Sequence, residues 1–270
     1  MDISRTEWIA FGKQFWCVRL PSSNIACEES AYRLRLTHHV DNPSVVRHTL
    51  SRDALLVRLM YQEAARLLLP SNEYNGTSAF TNQLLNALET LSCRLESADH
   101  ELYQHSLRVL IVALRFLRSL PLPREISIQI RVAALFHDLG KLCIPAEILK
   151  KPSGLTPLEL AELRMHPMHG AKMLLPITPL QPASMIVYHH HEHWDGRGYP
   201  TGLRGIMIPL GSRIISIADS FVVMTSGRQY RKPCSPEEAL LELSRCAGTQ
   251  FDPLLVDLFC SPLNVNHLMC

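Results

Sequence analysis

The sequence predicts a mainly α-helical protein, a helical bundle preceded by a small N-terminal region of uncertain fold. Apolar residues recur at helical spacing from about residue 51 onward, whereas residues 1 to about 45 show only short stretches of alternation. Three later segments join a capping residue to a proline, as helix starts commonly do. We therefore expect short strands and then helices in residues 1–95, a candidate sensory or regulatory region, and a helical domain over residues 96–270.

The N-terminal region contains two stretches that could form short strands. WIAFGKQFWCVRL and YRLRLTHHV both alternate locally, and the second places Tyr32, Leu34 and Leu36 on one side. The segment SRDALLVRLMYQEAARLLLP then predicts an amphipathic helix, with Ser51 as its N-cap and Pro70 as its stop. A second helix is expected over SAFTNQLLNALETLSCRL.

The clearest helix starts lie in the second half of the chain. Each joins a capping residue, a proline at the first helical position and an acid or amide at the third. The three capping residues are Thr156, Thr178 and Ser235. Together with the helical spacing of the apolar residues, they indicate an all-helical domain.

Composition excludes several classes of protein. The chain has 270 residues, 47% of them hydrophobic and 19% charged, and a net charge of +2, so no basic tail indicates DNA binding. The start lacks the features of a signal peptide, and the most apolar stretch is interrupted by Arg115 and Arg118, so no membrane span is predicted. The eight scattered cysteines form no CxxC pair. We expect a cytoplasmic protein with free thiols.

Histidines and carboxylates recur near the ends of the predicted helices. Glu101 and His105 are four residues apart in a helical segment, so their side chains point the same way. His137 and Asp138 end the apolar segment IRVAALFHD. Asp219 lies inside the apolar run RIISIADSFVVM, where an unpaired carboxylate would be costly to bury. Any one of these residues alone could be a helix cap or a satisfied core group.

The joint pattern favours a metal centre. His166 follows the helix that begins at Thr156, and His190 and His191 end the helix expected from Thr178. A helical bundle can build such a centre from side chains on facing helices. Cysteine is absent from the set, and mixed imidazole and carboxylate ligands suit Fe, Mn, Co, Ni or Zn. More than four ligands imply more than one metal, and paired metals can clamp the oxygens of a phosphoryl displacement.

These residues resemble a known family. HDLGK at 137–141, followed by HHEHWDGRGYP at 190–200, is similar to the motifs of the HD-GYP family in the HD phosphohydrolase superfamily. Members of that family are bacterial, metal-dependent phosphodiesterases of the second messenger cyclic di-GMP. The resemblance covers roughly residues 95–262 and implies an HD-type helical bundle.

The resemblance also implies a ligand set and its metals. The implied metal ligands are His105, His137, Asp138, His166, His190, His191 and Asp219. Some family members bind a third metal through a glutamate one helical turn before the first histidine, and Glu101 stands in that place. The expected cofactors are therefore two or three divalent ions, Fe or Mn first, with Ni, Co or Zn as alternatives.

The same resemblance assigns contacts to substrate and partners. Asp138 and Lys141 would be catalytic, with Lys141 on substrate phosphate, and Arg228 and Arg231 would hold the non-scissile phosphate. Gly198, Tyr199 and Pro200 would form a loop near the site, which this family often uses to contact diguanylate cyclases of the GGDEF type. The products would be linear pGpG and then GMP, and a homodimer is left open.

One departure from the family pattern keeps other functions open. The family usually has a second aspartate three residues after the last ligand, where this chain has Val222. Three residues apart on a helix is the same face, so the change would alter the polar surroundings of the site. The chain could instead be a catalytically weak receptor for cyclic di-GMP or for partner proteins. A third hypothesis is a hydrolase of another cyclic dinucleotide, such as a mixed guanine–adenine one.

Overall fold

The computed structural model describes residues 8–11, 14–17, 52–68, 79–226 and 233–261, in two compact units that comprise residues 1–46 and 47–270. In the smaller unit, strands β1 (Trp8–Phe11) and β2 (Gln14–Cys17) pair antiparallel, with Trp8 opposite Cys17. This hairpin confirms the strands expected in WIAFGKQFWCVRL, whereas YRLRLTHHV lies outside the described residues.

The larger unit confirms the mainly α-helical prediction. Its helices are α1 (Arg52–Leu68), α2 (Ala79–Ala98), α3 (His100–Leu117), α4 (Arg124–Phe136), α5 (Ala146–Leu149), α6 (Pro157–Leu163), α7 (His166–Leu174), α8 (Gln181–Tyr188), α9 (Leu210–Ser226), α10 (Pro236–Arg245) and α11 (Pro253–Phe259). Among the described helices, none is both long and apolar enough to cross a membrane.

Helix α4 is the centre of the core. Its residues from 128 to 136 are buried except Arg131, and it packs against α1, α3, α8 and α9. A helix that is apolar on nearly every side is stable only when other helices surround it. Because α4 ends at Phe136, the polar pair His137–Asp138 follows directly in the interior of the unit.

Two of the three predicted helix caps are confirmed, and one is wrong. Thr156 and Ser235 both form complete capping boxes with the glutamate three residues later. Thr178 does not cap an α-helix, because residues 178–180 form a short 3-10 helix and α8 begins at Gln181. The cause is Pro182, whose ring would clash with the carbonyl of Thr178 if the α-helix began there.

The first two helices belong to the larger unit. Helix α1 packs against α4 and ends at Leu68, two residues before Pro70, while its expected cap Ser51 lies outside the described residues. Helix α2 packs against α3. The division at residues 95 and 96 therefore remains a prediction for a functional domain. Four cysteines in the described part of the chain are free thiols, as expected: Cys93, Cys234, Cys246 and Cys260.

Candidate metal centre

Seven histidine and aspartate side chains converge between α3, α4, α7, α8 and α9. Two groups have candidate ligand atoms that all lie within 4.8 Å of one another, one formed by Asp138, His166, His190 and His191 and the other by His105, His137 and Asp138. Asp138 belongs to both groups and therefore joins them. Asp219 adjoins the second group, because its Oδ1 lies 3.0 Å from His105 Nε2 and 4.0 Å from His137 Nε2.

Helix ends fix the orientation of three of the imidazoles. The Nδ1 atoms of His137, His166 and His190 lie 2.8, 2.8 and 2.6 Å from the backbone carbonyl oxygen three residues earlier. Carbonyls at a helix end lack a partner within the helix, so they are free to accept these bonds. Because a carbonyl can only accept, Nδ1 carries the proton and donates it, which leaves a lone pair on each Nε2.

Those Nε2 lone pairs face other acceptors inside the protein. The Nε2 atoms of His137 and His190 are buried and have no hydrogen-bond partner among the described residues. His137 Nε2 lies 3.3 Å from Asp138 Oδ2, and His166 Nε2 lies 3.3 Å from Asp138 Oδ1. Acceptors repel one another at these distances unless they share a cation, which can be a proton or a metal ion.

Two carboxylates, the buried Asp138 and the partly exposed Asp219, remain ionised beside the histidines. Burial opposes the charge on Asp138, but Lys141, whose Nζ lies 2.6 Å from Oδ2, and His137 outweigh it and hold the pKa of Asp138 well below its usual range. Burial likewise opposes the charge on Asp219, yet the contact with His105 lowers the pKa of Asp219 to about 2. The site therefore keeps its negative charge at neutral pH.

Two histidines of the first group, His190 and His191, are neutral at physiological pH. Burial, and after it the neighbouring His191, lowers the pKa of His190 well below its usual value. Burial and His166 lower the pKa of His191 to about 3. His137 behaves in the opposite way, because Asp138 overcomes the effect of burial and raises its pKa. Neutral imidazoles and ionised carboxylates are the forms that bind metal.

The donor set fits divalent metal ions. It combines imidazole nitrogens and carboxylate oxygens without a thiolate, which suits Fe, Mn, Co, Ni or Zn. Three of its rings already donate their other nitrogen to a backbone carbonyl, the outer contact that usually orients a metal-binding histidine. Asp138, shared by both groups, is the residue placed to contact a metal in each.

A close backbone approach holds the two halves of the first group together. Gly140, in the turn after α4, lies so near the His166 carbonyl and the Gly170 amide that a side-chain carbon at Gly140 would overlap both backbones. Glycine at this position therefore lets α7 pack against the 139–143 turn. This contact sets the position of His166 relative to Asp138.

A hydrogen-bonded loop follows the histidines of α8. The Glu192 carboxylate is buried and accepts hydrogen bonds from the backbone N–H groups of Thr201 and Gly202 and from the Thr201 hydroxyl, at 2.7 to 3.1 Å. Asp195 Oδ1 accepts from the Arg197 N–H at 3.0 Å. Both acids therefore shape the loop, and neither belongs to a described ligand group.

The Gly198-Tyr199-Pro200 segment of this loop contacts the metal centre. The Tyr199 ring stacks on the His191 ring, with 4.8 Å between centroids and 22° between planes. The backbone N–H of Tyr199 donates a hydrogen bond to the His191 carbonyl. The guanidinium of Arg164, the residue that follows α6, lies 5.3 Å from the centroid of the Tyr199 ring. Gly198 has no room for a side-chain carbon beside Glu192, and the Tyr199–Pro200 peptide is cis.

Glu101 and Val222, which the sequence singled out, belong to neither described ligand group. Glu101 is exposed on α3 and belongs to neither described ligand group, so its role stays a prediction. Arg228 and Arg231 lie outside the described residues. Val222 is buried in the hydrophobic core, while Asp219 on the same helix adjoins the second ligand group. The missing carboxylate at 222 does not prevent the ligand groups from assembling.

The sequence did not reveal a cavity beside the metal centre. This cavity, of about 310 Å³, is lined by His191, His193, Ser216, Asp219, Ser220, Val223, Met224, Glu242, Cys246, Gln250 and Phe251. The wall from α9 could have been found from helical spacing around Asp219, which puts Ser216, Ser220 and Val223 on one side. The wall from α10 depends on tertiary packing and leaves no signal in the sequence.

Comparisons with known proteins agree with this geometry. The family model described as HD domain matches residues 89–255. A cyclic di-GMP phosphodiesterase of Thermotoga maritima is 34% identical over 231 residues, which are 84% of this chain and 61% of that protein. A 3'3'-cGAMP-specific phosphodiesterase 2 of Vibrio cholerae is 35% identical over 207 residues, which are 73% of this chain and 40% of that protein.

Among solved structures, an HDG"Y"P protein from Bdellovibrio bacteriovorus has the same fold. It superposes with a TM-score of 0.51 at 16% identity, over 83% of this chain and 74% of that one. The chain spans about half the length of the curated relatives it matches.

Proposed function

The chain belongs to the HD domain family, as an HD-GYP member, and on that premise we propose that it is a metal-dependent phosphodiesterase that hydrolyses cyclic di-GMP. The observation that carries the proposal is the pair of ligand groups joined by Asp138, with imidazole lone pairs directed at other acceptors. When bound, divalent metals would supply Lewis-acid charge and activate water for attack on phosphorus.

The protein's own residues have distinct tasks in this proposal. Seven side chains are the proposed metal ligands, six from the two groups and their neighbour Asp219: His105, His137, Asp138, His166, His190, His191 and Asp219. Glu101 is a candidate ligand for a third metal. Lys141 holds a positive charge beside Asp138, where it can contact a phosphoryl oxygen of the substrate. Tyr199 orients the His191 ring by stacking on it.

The reaction breaks one phosphodiester bond of the ring. Water adds to phosphorus, the 3′ oxygen leaves, and the product is linear pGpG, which a second hydrolysis would convert to GMP. Arg228 and Arg231 are proposed to hold the phosphate that is not cleaved, because guanidinium groups match phosphate oxygens. The Gly198-Tyr199-Pro200 loop is proposed as the surface for diguanylate cyclase partners.

A second candidate substrate is 3'3'-cGAMP. It is favoured by the similarity to a Vibrio cholerae phosphodiesterase named for that molecule. Both substrates have the same phosphodiester groups, which the metal centre would contact in either, so the choice between them depends on residues that contact the bases.

Metal analysis followed by an activity assay tests the proposal. The protein is reconstituted without oxygen in parallel with Fe(II), Mn(II) and Ni(II), its metal content is measured, and it is incubated with cyclic di-GMP. We expect at least two metal ions per chain and formation of pGpG. Asp138→Ala should lose both, whereas Asp195→Ala, a control in the loop outside the ligand groups, should retain its metal. If the protein binds stoichiometric metal but forms no product with any of the three metals, the proposed enzymatic activity is wrong and the receptor hypothesis remains.

A further inference from the structure

The cavity of about 310 Å³ opens on the metal centre. His191, from the first ligand group, and Asp219, beside the second, both form part of its wall. Cavities that bind small molecules usually enclose about 300 to 1,000 Å³, so this one is large enough for part of a ligand. A substrate whose phosphate contacts the metal centre would therefore place a neighbouring group in the cavity.

The lining of the cavity suits a flat, polar-edged group. Val223, Met224 and Phe251 supply apolar surface, while Glu242 and Gln250 supply hydrogen-bonding groups. A nucleobase has two apolar faces and an edge of donors and acceptors, and proteins commonly bind one between apolar side chains while hydrogen-bonding its edge. The combination of walls in this cavity matches that requirement.

Glu242 is the acidic lining residue that lies outside the metal centre, since the other one, Asp219, contacts His105, and the present partners of Glu242 are weak. Its Oε2 lies 3.5 Å from an Arg245 nitrogen, in an ion pair whose side chains are 50% and 68% exposed, and its Oε1 lies 3.8 Å from the Cys246 sulfur. Exposed ion pairs contribute little free energy, and a thiol is a weak donor. The carboxylate can therefore exchange these partners for stronger donors on a ligand.

We infer that this cavity binds a guanine base of the substrate and that Glu242 accepts hydrogen bonds from its Watson–Crick edge. An ionised carboxylate only accepts hydrogen bonds. Guanine presents two adjacent donors on that edge, N1–H and the N2 amino group, which match the two carboxylate oxygens. Adenine presents one donor beside an acceptor, which would face the second oxygen. The inference rests on the proposed function and makes Glu242 a specificity-determining residue.

The test is a change of base preference in Glu242→Gln. We expect kcat/KM for cyclic di-GMP to fall roughly 10- to 100-fold, mainly through KM, because two charge-assisted hydrogen bonds are lost. The value for cyclic di-AMP should hold or rise, since an amide can pair with adenine. Glu237→Gln, which removes the same charge from an exposed position on α10 outside the cavity, should leave both values unchanged. Metal content and the unfolding midpoint report whether each variant is intact.

The possible failures are distinguishable. If Glu242→Gln keeps the wild-type preference between cyclic di-GMP and cyclic di-AMP, the guanine subsite is wrong while the phosphodiesterase proposal stands. If the metal-loaded wild type cleaves no cyclic dinucleotide, the proposed function fails, and calorimetric binding of GMP and AMP then decides the subsite. If the wild type binds GMP more tightly than AMP and Glu242→Gln loses this difference, the guanine subsite is supported. Equal binding of the two nucleotides by the wild type overturns the guanine subsite.

Discussion

Glu192 and His190 are both buried, but the hydrogen bonding of their polar atoms differs. The Glu192 carboxylate accepts hydrogen bonds from two backbone N–H groups and one hydroxyl, so its charge is matched within the protein. His190, two residues earlier, has a buried Nε2 with no hydrogen-bond partner among the described residues. Buried polar groups are normally paired, so an unpaired one indicates strain or a ligand. The loop 192–202 is therefore a structural region whose polar atoms are paired within the protein, whereas the metal centre is a ligand-binding region with unpaired atoms.

Replacing Asp138 should produce the largest effect. Asp138→Asn retains the shape but loses the charge shared by both ligand groups, so we expect activity to fall roughly 10³-fold or more, together with metal content. Metal analysis and the rate of pGpG formation measure the two losses. Asp195→Asn makes the same chemical change in the loop and should retain metal. Full metal occupancy in Asp138→Asn would show that residues other than Asp138 hold the metal ions.

Gly140→Ala should disturb the metal centre through the backbone. The added carbon overlaps the His166 carbonyl, so α7 must move away, at a cost of about 1–3 kcal/mol in the free energy of unfolding. Metal content should fall as well, because His166 moves with α7. Chemical denaturation and metal analysis check this, with Gly154→Ala as the control, since a side chain there meets no atom within 4 Å. An equal effect of both substitutions would contradict the role of the close contact.

Glu192→Gln should destabilise the loop while the metal stays bound. The amide nitrogen cannot accept the hydrogen bonds that Glu192 receives, so we expect a loss of about 1–3 kcal/mol in the free energy of unfolding. Burial opposes the charge on Glu192, but the contacts with His189 and Thr201 outweigh it and lower its pKa below 4.5. An acid with a lowered pKa stabilises the fold above its unfolded pKa and loses that contribution as the pH falls through the folded pKa.

The same variant therefore makes a prediction about pH. Below about pH 4.5, the free energy of unfolding of the wild type should decrease more steeply than that of Glu192→Gln. Denaturant titrations of the metal-free proteins at several pH values measure the two slopes. Parallel curves would show that the loop does not depend on the ionised carboxylate.

Tyr199 should give the smallest effect, since it joins the two regions without belonging to the ligand set. Tyr199→Phe keeps the ring on His191 and should behave like the wild type, whereas Tyr199→Leu loses the stacking, worth about 0.5–1.5 kcal/mol. We expect a rise in the metal dissociation constant for Tyr199→Leu alone, measured by competition with a chelator. A matching rise in Tyr199→Phe would assign the effect to the hydroxyl instead of the ring.

The two regions also differ in how far the sequence predicted them. His137, His166 and His190 were identifiable because each lies at a helix end, and the convergence of the set followed from the bundle. The contacts of Glu192 with Thr201 and Gly202, nine and ten residues away, depend on the path of the loop, which apolar periodicity does not describe. The cap predicted at Thr178 failed because of Pro182, a second proline whose position in the first turn decides where α8 begins.

The cavity was least predictable because it depends on packing between distant segments. Helix α9 contributes one wall through its regular spacing, but Glu242 and Phe251 reach it through the packing of α10 and the segment after it. Neither residue differs in the sequence from an ordinary helix or core residue. A base-recognition site can therefore be inferred only after the helices are placed.

Anomalous diffraction from crystals of the anaerobically manganese-loaded protein would locate the metal ions directly. We expect one peak bonded to Nε2 of His190 and a second bonded to Nε2 of His137, with Asp138 contacting both and Glu192 contacting neither. Nδ1 of each of these two rings should still donate to its helix carbonyl. Absence of metal at both Nε2 atoms in protein shown to contain manganese would contradict the assignment of this cluster as the metal centre.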